Sequence, residues 1–429
     1  MTTINRSTSA ATAALAICAA MAHGVQAQEL TVLTDSSPQY VKTMEALMSA
    51  YTAMHPDVTF RLESRPGGAE GDNLIKTRLA TGEMEDIFNY NSGSLLQALR
   101  PNRTLLEISD LPAMEVTLDS FKQAVTGPEG GIYGVPMAAA MGGGILYHIP
   151  TYEKLGLEIP MTWDAFMENN KRIAEETDQA PIAQTYRDTW TSQLFVLSDY
   201  FNVQAESPDW HKAFTANEAK FSTTPAAMRG FEHLQEAHAA GYFNEDFGAA
   251  TYADGLAMVA SGEAVHYPML THSISAIQQN NTDQLQDIGF FAQPGDHADK
   301  NGLTVWMPAA LYSPKSTEHA DIVRDFFDFV GSVEGCETII EAIGAAGPHV
   351  TQGCELPADI PPAIADMSAY FQEDGRTWPA LEYLSPVKGP SLEQITVAVG
   401  SGINTAEEGA ALYDQDVMKQ ARQLGLENW

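Results

Sequence analysis

The sequence predicts an α/β protein built on open, mainly parallel sheets, and three observations lead there. Short apolar runs alternate with amphipathic stretches of helical period from Glu29 onward. No internal repeat or low-complexity tract interrupts them. The composition, 44 % apolar with 33 Gly and 23 Pro spread over 429 residues, is that of a globular chain. At about 150 residues per domain, this length makes two or three domains, each large enough to bury a core.

Leu30-Thr-Val-Leu33 reads as the first strand. Asp35-Ser36-Ser37-Pro38 then starts a helix, with Pro38 near the first position, where a missing N–H costs nothing. Val41, Met44, Leu47, Met48 and Tyr51 fall on one face of that helix. Val58-Thr-Phe-Arg-Leu62 is a second strand, followed by the loop Arg65-Pro-Gly-Gly-Ala-Glu-Gly71 and a helix to Gly82. Asp86-Ile-Phe-Asn89 is a third, running into the polar cluster Tyr90-Asn91-Ser92-Gly93. All three strands thus end in polar loops, and ligands of open α/β sheets bind at the carboxyl ends of strands.

Beyond Ile132-Tyr-Gly-Val-Pro136 the character changes. Gly142-Gly-Gly144 precedes a strand, Ile145-Leu-Tyr147; these glycines either let backbone approach a ligand or ease a tight turn. Thr162 reads as an N-cap for a helix entered through Trp163, a packing residue. A largely helical stretch reaches about Ser261, and Ala264-Val-His-Tyr-Pro268 and Leu303-Thr-Val-Trp-Met307 are further strands. The tail is helical over 322–330, 335–343, 364–372, 392–399 and 406–424.

Met1 to Ala27 contain no acid and one basic residue, Arg6. A charged start, the apolar run from Ala10 to Ala22 and the ending Val25-Gln26-Ala27 describe a cleavable secretory signal peptide. The run falls short of the ~18–20 residues that span a bilayer. Cys18 leaves with the signal, and Ile17 before it argues against lipidation. Cys336 and Cys354 remain as an even pair in an oxidising compartment, and a disulfide is the expected state, worth roughly 3 kcal/mol of unfolded-chain entropy. As metal ligands they would have only His349 nearby.

With 56 acidic against 23 basic side chains the net charge is −33. That excludes nucleic acid, for which no basic patch can release counterions, and docking on an anionic membrane. The acidity reads as a solvated skin suited to a salty medium, where screening over ~10 Å or less mutes self-repulsion. Catalytic signatures are missing: no Gly-Lys dipeptide for a P-loop, no Gly-x-Ser-x-Gly elbow, and His233 and His238 stand five apart without a His-Glu-x-x-His pattern. No cofactor, metal or catalytic residue is expected. Two facing carboxylates suffice for glycoside hydrolysis, so a secreted carbohydrate-active hydrolase stands as an alternative.

Leu79-Ala-Thr-Gly82, Asp86-Ile87, Tyr133-Gly-Val-Pro136, Ile145-Leu-Tyr147, Leu155-Gly-Leu157, Pro160-Met-Thr-Trp-Asp-Ala-Phe166 and Gly262-Glu-Ala264 follow one another in an order and spacing that resembles the bacterial family 1 extracellular solute-binding proteins. The resemblance covers essentially the whole chain after Ala27. Tyr90 to Gln97 and Asp188 to Phe195 are similar to its sugar-binding branch. It implies a two-lobed periplasmic-binding-protein fold, type II-like, with a ligand cleft between lobes joined by crossing segments. Lobe one would be 28–136 plus 266–332 and lobe two 137–265 plus 333–429, with crossings near Pro136, His266 and Gly331. It further implies a monomeric periplasmic protein, not an enzyme, that binds a di- or oligosaccharide and delivers it to the membrane permease subunits of an ABC-type importer. The other alternative keeps the fold and changes the solute, to a polyamine or amino sugar. Three or more rings facing the cleft favour an oligosaccharide; a small carboxylate-lined cage favours a cation.

A sugar presents hydroxyls and apolar C–H faces, so its site needs planar polar groups beside aromatic rings. Tyr90, Asn91 and Ser92 have that chemistry at a strand end and match a ligand-contacting loop of the family. Arg187, Asp188 and Trp190 match a second contact region, and read otherwise as a surface ion pair ahead of a core Trp. Trp306 and Tyr267 are open between core and stacking platform. Asp35 and Ser36 after the first strand and Arg65 after the second are candidates at strand ends, with Ser36 equally able to cap the helix. Trp378 and Lys388 lie in the late segment that closes the cleft in the family.

Overall fold

The computed structural model describes residues 1–3, 28–372 and 375–429, so the expected signal peptide lies, from residue 4 on, outside the described residues. The strands, in chain order, are β1 (Gln28–Asp35), β2 (Val58–Arg65), β3 (Ile87–Tyr90), β4 (Val135–Pro136), β5 (Met141–His148), β6 (Ala180–Ile182), β7 (Ala264–Leu270), β8 (Ile288–Ala292), β9 (Leu303–Trp306), β10 (Ala310–Tyr312) and β11 (Thr377–Pro379).

Among the described residues they form two sheets. In the first, ordered β2-β1-β3-β10-β4, β1 runs parallel to β2 over its whole length, with Gln28 beside Val58 and Asp35 beside Arg65. The crossover between them is the helix Pro38–Met54, whose Met44, Leu47 and Tyr51 pack with Leu30 and Val32 of β1. The next crossover helix, Gly68–Thr81, stops at Gly82 with φ 74°, a left-handed conformation that glycine adopts without a Cβ penalty. In the second sheet, ordered β11-β9-β5-β7-β6, β5 is central and β8 pairs with its far half.

Both sheets are mixed rather than mainly parallel: β10 is antiparallel to β3 and β4, and β5 is antiparallel to β7, β8 and β9. β10 follows β9 of the other sheet after the short segment 307–309, too short for the long crossover that a parallel neighbour needs. The pairing also redraws the expected lobes. Residues 266–306 supply β7, β8 and β9, all registered on β5, so they belong with the second sheet and not with lobe one. The helix Val333–Ile343 packs Ile339 and Ile343 into the core of the first sheet and not with lobe two. The chain passes from one sheet to the other at 137–140, 307–309 and 344–361, whereas His266 and Gly331, where crossings were also expected, fall inside a strand and a helix. The last crossing leads to the helix Pro362–Tyr370, whose Asp366 and Tyr370 accept the Phe290 and Ala292 N–H groups of β8 at 3.0 and 3.1 Å.

These crossings are laced to one another. Met137 N–H donates to the Ala309 carbonyl at 3.2 Å and Ala140 N–H to the Pro348 carbonyl at 2.8 Å. The Ser92 hydroxyl donates to the Pro308 carbonyl at 3.0 Å, fixing the loop after β3 to the second crossing.

Gly142–Gly144 lie within β5, where they make room for rings packed on the sheet. A Cβ at Gly143 would stand 2.2 Å from the Trp306 ring. Trp163 is a packing residue: its indole stacks on His233 with centroids 3.9 Å apart and donates to Glu236 at 2.6 Å, while the Thr162 hydroxyl caps the helix Trp163–Glu176. Cys336 and Cys354 are joined in a disulfide. Among the described residues, no helix is long and apolar enough to cross a membrane.

Candidate functional site

Parallel pairing brings the carboxyl ends of β1, β2 and β3 side by side, and with them Asp35, Arg65 and Tyr90. The Asp35 carboxylate accepts the Ser37 N–H and hydroxyl at 2.8 and 2.6 Å through Oδ1 and faces the Arg65 guanidinium at 3.5 Å through Oδ2. Asp35 N–H donates to Asn89 Oδ1 at 2.8 Å. Arg65 also donates to the Pro66 and Asn89 carbonyls at 2.9 and 3.3 Å, so the guanidinium is held rigidly at the strand ends.

These groups form one wall of a cleft of about 170 Å³ between the sheets. The facing wall comes from the second sheet and its helices: Trp190 from the 3₁₀ turn Thr189–Gln193, Met141 and Leu270 from β5 and β7, Trp306 from β9, and Glu382, Tyr383, Lys388 and Glu393 from the late segment. At about 10–15 Å³ per water-sized sphere, the cleft holds on the order of a dozen waters, comparable to the heavy atoms of one sugar ring with its hydroxyls. A second chamber of about 270 Å³ adjoins it across Asp72, Gln193, Lys388 and Glu393, which line both.

Among the described residues, five aromatic side chains line the cleft: Tyr40, Tyr90, Trp190, Trp306 and Tyr383. The Trp306 indole N–H donates to Glu382, whose other oxygen accepts Lys388 at 3.1 Å. Thr189 hydroxyl donates to Glu393 at 2.7 Å. His272 stacks between Tyr40 and Tyr252, with interplanar angles of 18° and 26°. Burial pulls the His272 imidazole down to about 4 despite the nearby Asp35 charge, so it is neutral. Burial pushes the Asp72 carboxyl up against the opposing charges of Lys76, Arg65 and Lys388, and pushes Glu393 up against the Thr189 hydrogen bond. Four buried polar atoms of the lining have no hydrogen-bond partner: Tyr90 Oη, Gln193 Oε1, His272 Nδ1 and Arg65 Nε.

Of the residues expected from sequence, Asp35, Arg65, Tyr90, Asn91, Trp190, Trp306 and Lys388 meet in this lining. The others lie elsewhere. Ser36 is exposed beside the cleft, and its neighbour Ser37 takes the place expected of it. Ser92 is buried against Pro308. Arg187 is exposed, and Asp188 accepts the Tyr252 N–H at 2.7 Å, so it anchors a helix start instead of facing the cleft. Tyr267 is core, its hydroxyl 2.7 Å from that of Thr185. Trp378 pairs beside Thr304 on β11 and packs into the core of the second sheet. The lining residues that sequence reasoning missed are chiefly Tyr40, Asp72, Gln193, His272, Tyr383 and Glu393. Tyr40 shares the helix face of Met44, Leu47 and Tyr51 and packs beside that core, so its sequence position did not set it apart.

The family model described as bacterial extracellular solute-binding protein matches residues 34–335. The chain belongs to that family. This solute-binding protein is 21 % identical over 316 residues to a "Multiple sugar-binding protein" of Streptococcus mutans, covering 71 % of either chain. Its fold is similar to that of a "Chitin oligosaccharide binding protein", with a TM-score of 0.79 at 20 % identity over 92 % of this chain and 100 % of that one. It is similar also to a solute-binding protein solved in complex with raffinose, with a TM-score of 0.73 at 20 % identity over 92 % and 99 %. The solute-binding protein thus has the two-lobed architecture of these structures, each sheet forming the centre of a lobe.

Proposed function

We propose that this protein binds a carbohydrate of two or more rings between its lobes and delivers it, as a monomer outside the cytoplasmic membrane, to the permease subunits of an ABC-type importer, with no chemistry of its own. The observation that supports this best is the pairing of five cleft-lining rings with buried, unpartnered hydrogen-bonding groups. Rings stack on the C–H faces of a sugar, and Tyr90 Oη, Gln193 Oε1 and His272 Nδ1 await its hydroxyls. The adjoining chamber gives a second ring somewhere to go. The relatives' names, multiple sugar-binding and chitin oligosaccharide binding, agree with this ligand class. A polyamine is disfavoured because five rings line the cleft and two of its four carboxylates, Glu382 and Asp35, are paired with Lys388 and Arg65. Lobe closure about the crossings would trap the ligand.

A thermal-shift screen against a panel of di- and oligosaccharides, with spermidine as a control, tests the proposal. A ligand at 100 times its Kd stabilises by about 2.7 kcal/mol, readily seen as a raised Tm. At least one sugar is expected to shift the protein and none to be hydrolysed. A shift with spermidine alone, or turnover of a glycoside, would overturn it.

A further inference from the structure

The disulfide has a neighbour. Cys336 on the helix Val333–Ile343, Cys354 in the crossing 344–361 and His349 between them place two sulfurs and an imidazole nitrogen within 4.8 Å of one another. The His349 ring is largely buried, with burial the sole influence acting on it and no charged or hydrogen-bonding partner among the described residues. It is a lone-pair donor held beside two sulfurs with nothing else to bind.

The backbone already suits a metal. The two cysteines stand 6.3 Å apart at Cα, in the upper part of the disulfide range. Two thiolates on a tetrahedral ion at ~2.3 Å would lie about 3.8 Å apart, a separation that side-chain rotation alone can reach from this Cα spacing. Two sulfurs and one imidazole form a soft donor set that suits zinc, cadmium or copper(I) and discriminates against calcium and magnesium.

We infer that the reduced protein binds one thiophilic metal ion through Cys336, Cys354 and His349, with a water in the fourth position. A dithiol reductant first cleaves the disulfide, giving two thiols and its own cyclic disulfide. A divalent ion then takes two thiolates and the neutral imidazole, releasing two protons to solvent. The position gives the site its meaning. Cys354 lies on the third crossing, its N–H donating to the Thr351 carbonyl, and Thr351 pairs with Thr117 of the first lobe, while the Pro348 carbonyl of the same crossing accepts the Ala140 N–H. Metal therefore restores, in the reduced protein, the cross-link that oxidation provides beside the interlobe hinge.

Cadmium(II) is the probe, because its thiolate complexes absorb in the ultraviolet where the free ion does not. Protein is reduced, freed of reductant without air, and titrated in excess magnesium to occupy the acidic surface. Reduced wild type should take up one equivalent with the thiolate–cadmium band and regain the Tm lost on reduction, while oxidised wild type develops no band. Cys354→Ser should lose stoichiometric uptake. His349→Ala should keep a band but bind about tenfold or more weakly. No band from reduced wild type would overturn the site, whatever the variants do. Wild-type affinity in His349→Ala would overturn the three-donor assignment.

Discussion

Replacing Tyr90 by Phe separates what the cleft does empty from what it does filled. The Tyr90 side chain is 1 % exposed and its hydroxyl has no hydrogen-bond partner. A buried hydroxyl left unpaired costs about 1–3 kcal/mol, so Tyr90→Phe should stabilise the ligand-free protein by about 1 kcal/mol. The ring stays, and with it the packing. In the sugar complex that hydroxyl finds a partner worth about 1 kcal/mol, so the variant should bind roughly fivefold more weakly. Stability and affinity move in opposite directions, which no general loosening of the fold produces. Urea denaturation of the ligand-free protein and calorimetry with the sugar identified by the screen measure the two quantities. The Asp72 carboxylate is the competitor, since it acts on the Tyr90 hydroxyl both through its charge and as a side-chain hydrogen-bond acceptor just beyond ordinary bonding geometry. If Tyr90→Phe destabilises the empty protein and leaves affinity unchanged, the hydroxyl is already paired with Asp72 and the reasoning fails.

Trp190→Ala should weaken sugar binding by about 1–3 kcal/mol, the usual range for a large aromatic anchor; unchanged affinity in calorimetry would remove Trp190 from the site. Gly143→Ala would set a Cβ 2.2 Å from the Trp306 ring and 2.8 Å from Ser198 Oγ. Overpacking of that kind costs about 1–3 kcal/mol in denaturant unfolding, and it should also weaken binding by moving the Trp306 wall. A third prediction concerns pH. Burial holds the Asp199 carboxyl well above its ordinary 3.8 and the neighbouring His233 well below its ordinary 6.5, with Arg229, Asp296 and Glu232 also acting on Asp199. The raised acid favours the fold at low pH and that contribution is lost as pH rises; the lowered histidine favours it above 6.5 and is lost as pH falls. Asp199→Asn removes the first dependence, so between about pH 5 and about pH 8 its Tm should fall less than that of wild type. Parallel Tm profiles would show that the folded protein holds Asp199 no more protonated than the unfolded chain does in that window.

Local chemistry was readable where it is self-contained. The helix Ala406–Leu424 matches to the residue because its capping box, Thr405 with Glu408, and its stop at Gly425 lie within its own sequence. That the strand ends Asp35, Arg65 and Tyr90 gather at one edge of the sheet was readable because parallel pairing alone brings them together. What failed depended on distant partners. The run Ile288-Gly-Phe-Phe-Ala292 has no alternation, since β8 is buried throughout, and it passed unnoticed. Residues 266–306 went to the wrong lobe because their sheet is fixed by β5, more than a hundred positions away. Asp188 looked like a ligand contact, yet it serves the backbone N–H of Tyr252. Tyr383 and Glu393 reach the cleft only because the late segment folds back onto Trp306 and Thr189.

The lacing of the crossings separates two histories that a transport receptor must reconcile. Met137 to Ala309 and Ala140 to Pro348 are main-chain bonds, and no substitution except to proline at the donor removes them. The groups that line the cleft, and on the proposed function would choose the ligand, are side chains, replaceable one at a time. Specificity can therefore drift from one sugar to another through the lining while the mechanics of opening are inherited intact, and a redesigned cleft would start from a joint that already works.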